Sequence, residues 1–377
     1  MRRHSIAPRP HMQATVAHTG LTYHTHSDGT PYWDELGYWE LTSAEIDRLE
    51  AATAEIQRLA LAAGDQILDR DRLAEMKIPA AAAARIRETW NSEPLSIYGR
   101  IDLAYDGDQI KLLEYNADTP TALVEAAVTQ WYWLNDRFPG ADQFNSLHQK
   151  LVAKWKDLIH YLRQPVYFGH DGSEEDLMTV SYLRDTAEQA GHRTVPIPIR
   201  RIGWEEAIRR FVDLDRQPIE SLFKLYPWEW LLKEQFGAYA LESMGQVNWM
   251  EPIWKMMWSN KALLAILWEL NPNHELLLPA YLDGAHGLQD YVRKPLFGRE
   301  GAGITVFRNG VAEEESKESG NEEDFVFQKL ASLASDGVNT AVIGSWLIDG
   351  EPAGIGIRES YGLITKNTSR FVPHLFR

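Results

Sequence analysis

Residues 98–122 read YGRIDLAYDGDQIKLLEYNADTPTA, and their alternation sets the reading of the whole chain. Asp106-Gly107 is a turn signal between two alternating runs, 97–104 and 110–115, so the segment predicts a pair of antiparallel strands. A three-residue loop ending at Gly107, with the glycine left-handed, keeps the even-numbered residues of both strands on one face. That face carries Arg100 and Asp102 on the first strand, and Glu114 and Asn116 on the second. Such alternation also describes a solvated sheet face. The residue types point further. Two carboxylates and an amide oxygen are ligands for a hard cation such as magnesium, and an arginine beside them can clamp a carboxylate or phosphate through parallel hydrogen bonds.

Immediately after the hairpin, Thr119 and Thr121 precede a helix expected from Leu123 to Trp133. Hydroxyls and free N–H groups at that position either cap the helix or receive an anion. Upstream, Thr42-Ser43-Ala44-Glu45 is a capping box opening a helix with the inner stripe Ile46, Leu49, Ile56, Ala60, Ala63 and Ile67. A second helix follows Pro79. His24-Thr25-His26 puts two imidazoles on one strand face, a weak metal pair without a third ligand.

Downstream, residues 165–251 alternate strand and helix like a small parallel α/β unit. Its last strand ends at Tyr226-Pro227-Trp228-Glu229-Trp230, where Glu229 is placed to accept a substrate ammonium. Residues 252–377 carry a second constellation. Ser259-Asn260-Lys261 opens a helix, and the strand Tyr291–Pro295, bearing Lys294, runs into a loop with Gly298, Gly301 and Gly303 before a returning strand. Lysine and glycine-exposed backbone N–H groups in this order can fold over a triphosphate. Gln328 and Leu330 end a buried strand able to present backbone groups to an adenine edge, and Arg358 closes one of the last strands. Residues 312–324 read as a charged, exposed linker.

Composition narrows the classes. The 377 residues are 44% hydrophobic and carry a net charge of −16, which suits a globular protein and disfavours nucleic acid or anionic membrane as partner. A cationic small molecule would be attracted. The absence of cysteine excludes disulfides, thiolate metal sites and cysteine nucleophiles. The basic N-terminus lacks an apolar segment, and no apolar run reaches the roughly 18 residues of a membrane span. A cytoplasmic protein with a mobile N-terminus over residues 1–20 is expected.

Arg100-x-Asp102, Glu114-x-Asn116 and Thr119-Pro120-Thr121, followed in order by Lys261, Lys294-Pro295, the Gly298–Gly303 loop and Arg358, resemble the glutathionylspermidine synthase family of the ATP-grasp superfamily. The resemblance covers nearly the whole chain, residues 21–377. It implies an α/β (α+β) ATP-grasp fold of permuted order, similar in plan to eukaryotic-type glutathione synthetase, with residues 165–251 as an inserted preATP-grasp-like unit on the substrate side. It further implies ATP and a pair of magnesium ions as cofactors, with Asp102, Glu114 and Asn116 as metal ligands. Lys261, Lys294, Gly298, Gly301, Gly303, Gln328 and Leu330 would contact ATP, and Arg100 and Arg358 would act on the reacting groups. Arg100, Thr119, Thr121 and Glu229 would meet a peptide such as glutathione and a polyamine such as spermidine. The bifunctional members carry a cysteine-dependent amidase domain that has no counterpart here, so a stand-alone synthetase is expected. Ligation of a different peptide or amino-acid pair, or nucleotide binding without turnover, are the other readings.

Overall fold

In the computed structural model, residues 1–92, 95–316 and 324–377 are described. The chain begins with β1 (Arg2–Ser5), α1 (Met12–His18), β2 (Gly37–Leu41), α2 (Ser43–Asp69) and α3 (Ala80–Asn91). The hairpin β3 (Tyr98–Tyr105) and β4 (Ile110–Asn116) follows, then α4 (Gln130–Arg137) and α5 (Leu147–Asp157). Next come β5 (Val166–His170), α6 (Glu174–Gln189), β6 (Thr194–Pro198), β7 (Gly203–Glu205), β8 (Arg210–Val212), β9 (Ser221–Leu225), α7 (Trp228–Leu231), α8 (Gly237–Glu242) and β10 (Asn248–Met250). The last third holds α9 (Met256–Ser259), α10 (Ala262–Leu270), β11 (Ala280–Tyr281), β12 (Tyr291–Pro295), β13 (Thr305–Arg308), β14 (Val311–Glu315) and β15 (Phe325–Lys329). It closes with β16 (Ala334–Ser335), β17 (Thr340–Ile348), β18 (Glu351–Ser360), β19 (Arg370–Val372) and β20 (His374–Phe376).

Three sheets meet around the hairpin. The central one runs β19-β18-β17-β3-β4 with β16 on β17, and is antiparallel. The inserted unit is a parallel sheet of order β10-β9-β5-β6, and the late strands form an antiparallel sheet of order β11-β15-β12-β13-β14. Helix α2 opens with the reciprocal cap its sequence announces: Glu45 N–H donates to Thr42 Oγ1 (3.2 Å) and Thr42 N–H to Glu45 Oε2 (2.8 Å). Its buried stripe packs with Ile101, Leu103 and Tyr115, the odd-numbered residues of the hairpin. Arg100, Asp102, Glu114 and Asn116 are therefore released to the other face, while Ile110 and Leu112, nearer the loop, stay in the core.

That face arises by a different route from the one expected. The loop has four residues, 106–109, with Asp106 Oδ1 accepting from the N–H groups of Asp108 (2.9 Å) and Gln109 (2.7 Å). Without further adjustment this loop pairs residues of opposite parity, as Leu103 with Leu112 does. A register shift between Asp102 and Leu103 adds one residue to β4 and sets Asp102 opposite Glu114 and Arg100 opposite Asn116. The bulge restores what the longer loop would have lost.

Two other expectations are corrected. Residues 1–20 are not a mobile tail: β1 pairs with β2, and Arg3 Nε donates to Glu359 Oε1 (2.6 Å), a carboxylate with no exposed surface. A buried carboxylate holds its partner strongly, because losing the partner leaves a charge in low dielectric. Arg3→Met should accordingly lower unfolding stability by roughly 3 kcal/mol, read from urea titration; a loss within error would show that Arg370 alone satisfies Glu359. The linker assigned to residues 312–324 begins instead as β14, paired with β13, and its remainder largely lies outside the described residues. Among the described residues no helix is long and apolar enough to cross a membrane.

Candidate active site

The hairpin's even face forms one wall of a cavity of about 380 Å³. Arg100, Asp102, Glu114, Asn116, Thr119 and Thr121 line this wall. Arg100 lies along the sheet over Gly344, whose missing side chain matters: a Cβ there would sit 2.9 Å from Arg100 Cδ. The guanidinium donates to both Asp102 oxygens (Nε–Oδ1 2.7 Å, Nη2–Oδ2 3.0 Å) and to the Thr121 carbonyl (2.9 Å). Lys261, just ahead of α10, reaches Glu114 Oε2 at 2.9 Å and donates to the Gly298 carbonyl at 2.6 Å. Lys294 of β12 donates to the Leu113 carbonyl (2.9 Å) and to Gln328 Oε1 (2.7 Å), and Gln328 Nε2 donates to the Leu112 carbonyl (2.9 Å). Side chains on β12 and β15 thus clamp the late sheet onto the backbone of β4.

Charge is balanced here at close quarters. Burial pushes the Asp102 carboxyl up, Arg100 opposes this, and the facing Glu114 adds to it. Burial also works against the Glu114 anion, but Lys261, Lys294 and Arg100 together hold it at about 2. Burial brings Lys294 down to about 8, against the pull of Glu114. Two crowded carboxylates and an adjacent amide oxygen fit a divalent cation, whose charge relieves that crowding. Among the described residues no three acidic or histidine side chains converge on one ion position, so the third donor of such a set is the Asn116 amide. His24 and His26 are engaged elsewhere, with Thr25 Oγ1 (2.8 Å) and the Tyr23 hydroxyl (3.0 Å).

Arg299 and Gly301 of the glycine loop and Arg358 of β18 also line the cavity. Gly301 has φ +73°, and a Cβ on it would meet the Thr365 carbonyl oxygen at 2.3 Å, so the loop can lie this close only with glycine there. Gly303 is likewise left-handed, at φ +67°. Arg358 donates to the Lys366 carbonyl (2.7 Å), while its buried Nε finds no partner among the described residues. Thr119 Oγ1 is a second buried group without a partner among the described residues.

Seven of the residues assigned from sequence are not in the lining of this cavity: Lys261, which touches it through Glu114, and Lys294, Gly298, Gly303, Glu229, Gln328 and Leu330. Glu229 lies in the first turn of α7, next to the cavity-lining Trp230 but off the wall itself. Gln328 is committed to Lys294 and Leu112. The Leu330 N–H, expected to be free for an adenine edge, donates to the Asp290 carbonyl (3.0 Å).

Sequence reading missed the opposite wall. Asp171, Glu174, Glu175 and Asp176 gather at the N-terminus of α6, and Glu300 of the glycine loop joins them. The signal was the run Ser173-Glu174-Glu175-Asp176, which reads equally well as an ordinary acidic first turn. Burial and the neighbouring Asp171 push the Asp176 carboxyl up to about 7. The cavity therefore combines three arginines, Arg100, Arg299 and Arg358, with an acidic wall, and Arg299 is near enough to Asp176 to favour its anion.

Behind it, the buried Glu125 accepts from the Tyr32 hydroxyl (2.6 Å) and is pushed up to about 7 by burial. Folded protein then retains a proton that the unfolded chain releases near 4.5, so stability falls as pH rises from about 4.5 to 7. Glu125→Gln should remove this dependence and stabilise the fold by about 3 kcal/mol at pH 8, with little effect at pH 4.5. Parallel urea curves for the two proteins at both pH values test it.

The comparisons agree with this geometry. The model of the family described as glutathionylspermidine synthase preATP-grasp matches residues 3–377. A Haemophilus influenzae protein provisionally named an acid–amine ligase is 38% identical over 98% of this chain and 97% of its own. Trypanothione synthetase of Crithidia fasciculata is 29% identical over 81% of this chain. The bifunctional glutathionylspermidine synthetase/amidase of Escherichia coli is 26% identical over 90% of it. The matches span 51% and 59% of the lengths of those last two relatives. A glutathione synthetase-like effector of Globodera pallida superposes over 98% of both chains with a TM-score of 0.55 at 9% identity, which makes the mixed α/β architecture glutathione synthetase-like. With motif order, cavity and full-length match in accord, the chain belongs to the glutathionylspermidine synthase family.

Proposed function

We propose that the protein is an ATP-dependent acid–amine ligase that forms an amide through an acyl phosphate. The arrangement would be that of a permuted ATP-grasp enzyme, with metal ligands early in the chain and the nucleotide clasp late. The observation that carries this reading is the charge content of the cavity: three arginines and the paired carboxylates of Asp102 and Glu114 share one lining with five further carboxylates. An acid and a phosphate suit the arginines, an ammonium the acidic wall.

Asp102, Glu114 and Asn116 would hold magnesium, which supplies charge neutralisation of the nucleotide phosphates. Lys261 and Lys294 would face those phosphates, and the Gly298–Gly303 loop would cover them. Arg100, already oriented by Asp102, would clamp the acid's carboxylate. One of its oxygens would take the γ-phosphoryl as the bond to ADP breaks, with Arg358 and Arg299 stabilising the transferring charge. The amine nitrogen would then attack the acyl carbon. The C–N bond forms, the C–O bond to phosphate breaks, and the nitrogen loses a proton. Asp176, whose carboxyl sits near neutrality, suits the role of proton acceptor better than Glu229, which is off the wall. Thr119 and Thr121, whose carbonyls accept from Arg299 and Arg100, would lie along the acid's backbone. Such chemistry places the enzyme in the cytoplasm, where ATP is held.

Magnesium-dependent ADP release with purified protein, offered glutathione and spermidine and then other acid–amine pairs, tests the reading. Release requiring both an acid and an amine is expected. Tight ATP binding without turnover on any pair would favour the non-catalytic reading.

A further inference from the structure

A second cavity, of about 530 Å³, adjoins the first on the far side of Tyr226. Its walls are mainly apolar: Ile202, Phe211, Leu222, Leu231, Phe236 and Trp249. It lies between one face of the parallel sheet, where β9 contributes Leu222, and the covering layer of β8, α7 and α8. The other face of that sheet is packed solid by Trp155, Phe168 and Phe223, with ring centroids 5.5–5.6 Å apart. On the cavity's side, by contrast, the apolar lining is left uncovered. Its volume and lining are those of a small-molecule site.

Its position adds to this. From β5 the chain builds the sheet outward to β6, then crosses back to place β9 on the other side of β5. Ligands of open α/β sheets bind beyond the strand ends at such a reversal. Asp171, just after β5, and Tyr226, just after β9, border both cavities. The Tyr226 hydroxyl donates to Glu234, which holds the ring as a partition. The junction is thus at Asp171 and Tyr226, beside the acidic wall of the reaction cavity.

Two cations line the second cavity, the exposed Arg200 and a Lys224 that is already engaged. Lys224 binds Asp118 Oδ1 at 2.7 Å and lies over the Trp228 ring. A second ammonium extended into this space, as a polyamine would place it, would meet the apolar walls of Ile202, Leu222 and Leu231 and the cations Arg200 and Lys224 as well as the carboxylates Asp171 and Glu234. An apolar group would meet mainly matching surface.

We propose that the amine substrate carries an apolar arm, an aryl or branched alkyl group, which occupies the cavity behind Tyr226 while its amino group lies against the acidic wall of the reaction cavity. This names the amine class within the ligase reading and rests on it.

The test uses phenethylamine and methylamine as probes, with titration calorimetry for binding and ADP release in the presence of glutathione for turnover. In the unaltered protein, phenethylamine should bind roughly 10- to 100-fold more tightly than methylamine, the range expected for burying one ring. Ile202→Trp and Leu231→Trp fill the cavity from different walls, and in either the preference should fall by about tenfold. Equal binding of the two amines to the unaltered protein overturns the proposal, as does a preference that survives both fillings. The two readings fail separately. A filling-sensitive preference without ADP release from any pair keeps the apolar site and removes the ligase, whereas ADP release with no preference between amines does the reverse.

Discussion

Glu114→Ala should reduce magnesium-dependent ADP release by roughly a thousandfold or more while leaving the unfolding curve close to that of the parent. The carboxylate is half-buried on the cavity wall and contributes no packing to the apolar core. What it supplies is charge: one of the two close carboxylates, and the acceptor for Lys261. In the variant, Lys261 keeps the Gly298 carbonyl, so the glycine loop retains its tether. Asp102 loses the like charge opposite it and should become easier to ionise. Magnesium affinity in the presence of nucleotide, followed by calorimetry, should weaken in step with turnover. Turnover near the parent's would sink the metal assignment for the whole hairpin face.

The largest effect on stability is expected at Lys224. Its ammonium and the Asp118 carboxylate are both essentially inaccessible, and Asp118 Oδ2 also accepts from the Trp228 N–H at 2.9 Å. Lys224→Met leaves Asp118 buried without its cation, which should lower stability by about 3–5 kcal/mol. Because Asp118 precedes Thr119, the same change should disturb the cavity wall and raise KM for the acid more than it lowers kcat. Adding Asp118→Asn removes the stranded charge and should recover much of the lost stability, since an apolar and amide replacement leaves no uncompensated ion. A double variant no more stable than the single one would mean that the pair acts through packing.

These residues mark the boundary of what can be read from a linear chain. Arg100, Asp102, Glu114 and Asn116 were legible because β-alternation places polar groups against expectation, and the same-face result held even though the loop length did not. The bulge beside Asp102 carries no local signature: it is the outcome of pairing β3 between β4 and β17, which are distant in sequence. Gln328 was placed in a nucleotide pocket because strand ends commonly serve there, yet its amide is consumed by Lys294 and Leu112, a contact between sheets. The acidic wall was visible only as an acidic helix start, since nothing near residues 173–176 says that the glycine loop and Arg299 come to lie opposite. Lys224 and Asp118 are 106 residues apart, and each alone is an unremarkable charged residue.

The ordering of the strands also constrains how the molecule is made. β2 lies between β1 and β20, with Trp39 beside His374, and β3 waits for β17 across more than two hundred residues. While the chain is still on the ribosome, β3 and β4 have only each other, and a lone two-stranded hairpin is marginal in water. The central sheet can be completed only after β17 and β18 have left the exit tunnel, and the small sheet that ties down β1 only after β20. Folding of this protein should therefore wait until these late strands have emerged and be slow, as non-local pairing generally is. During synthesis the open edge of β3 is the surface most in need of a chaperone.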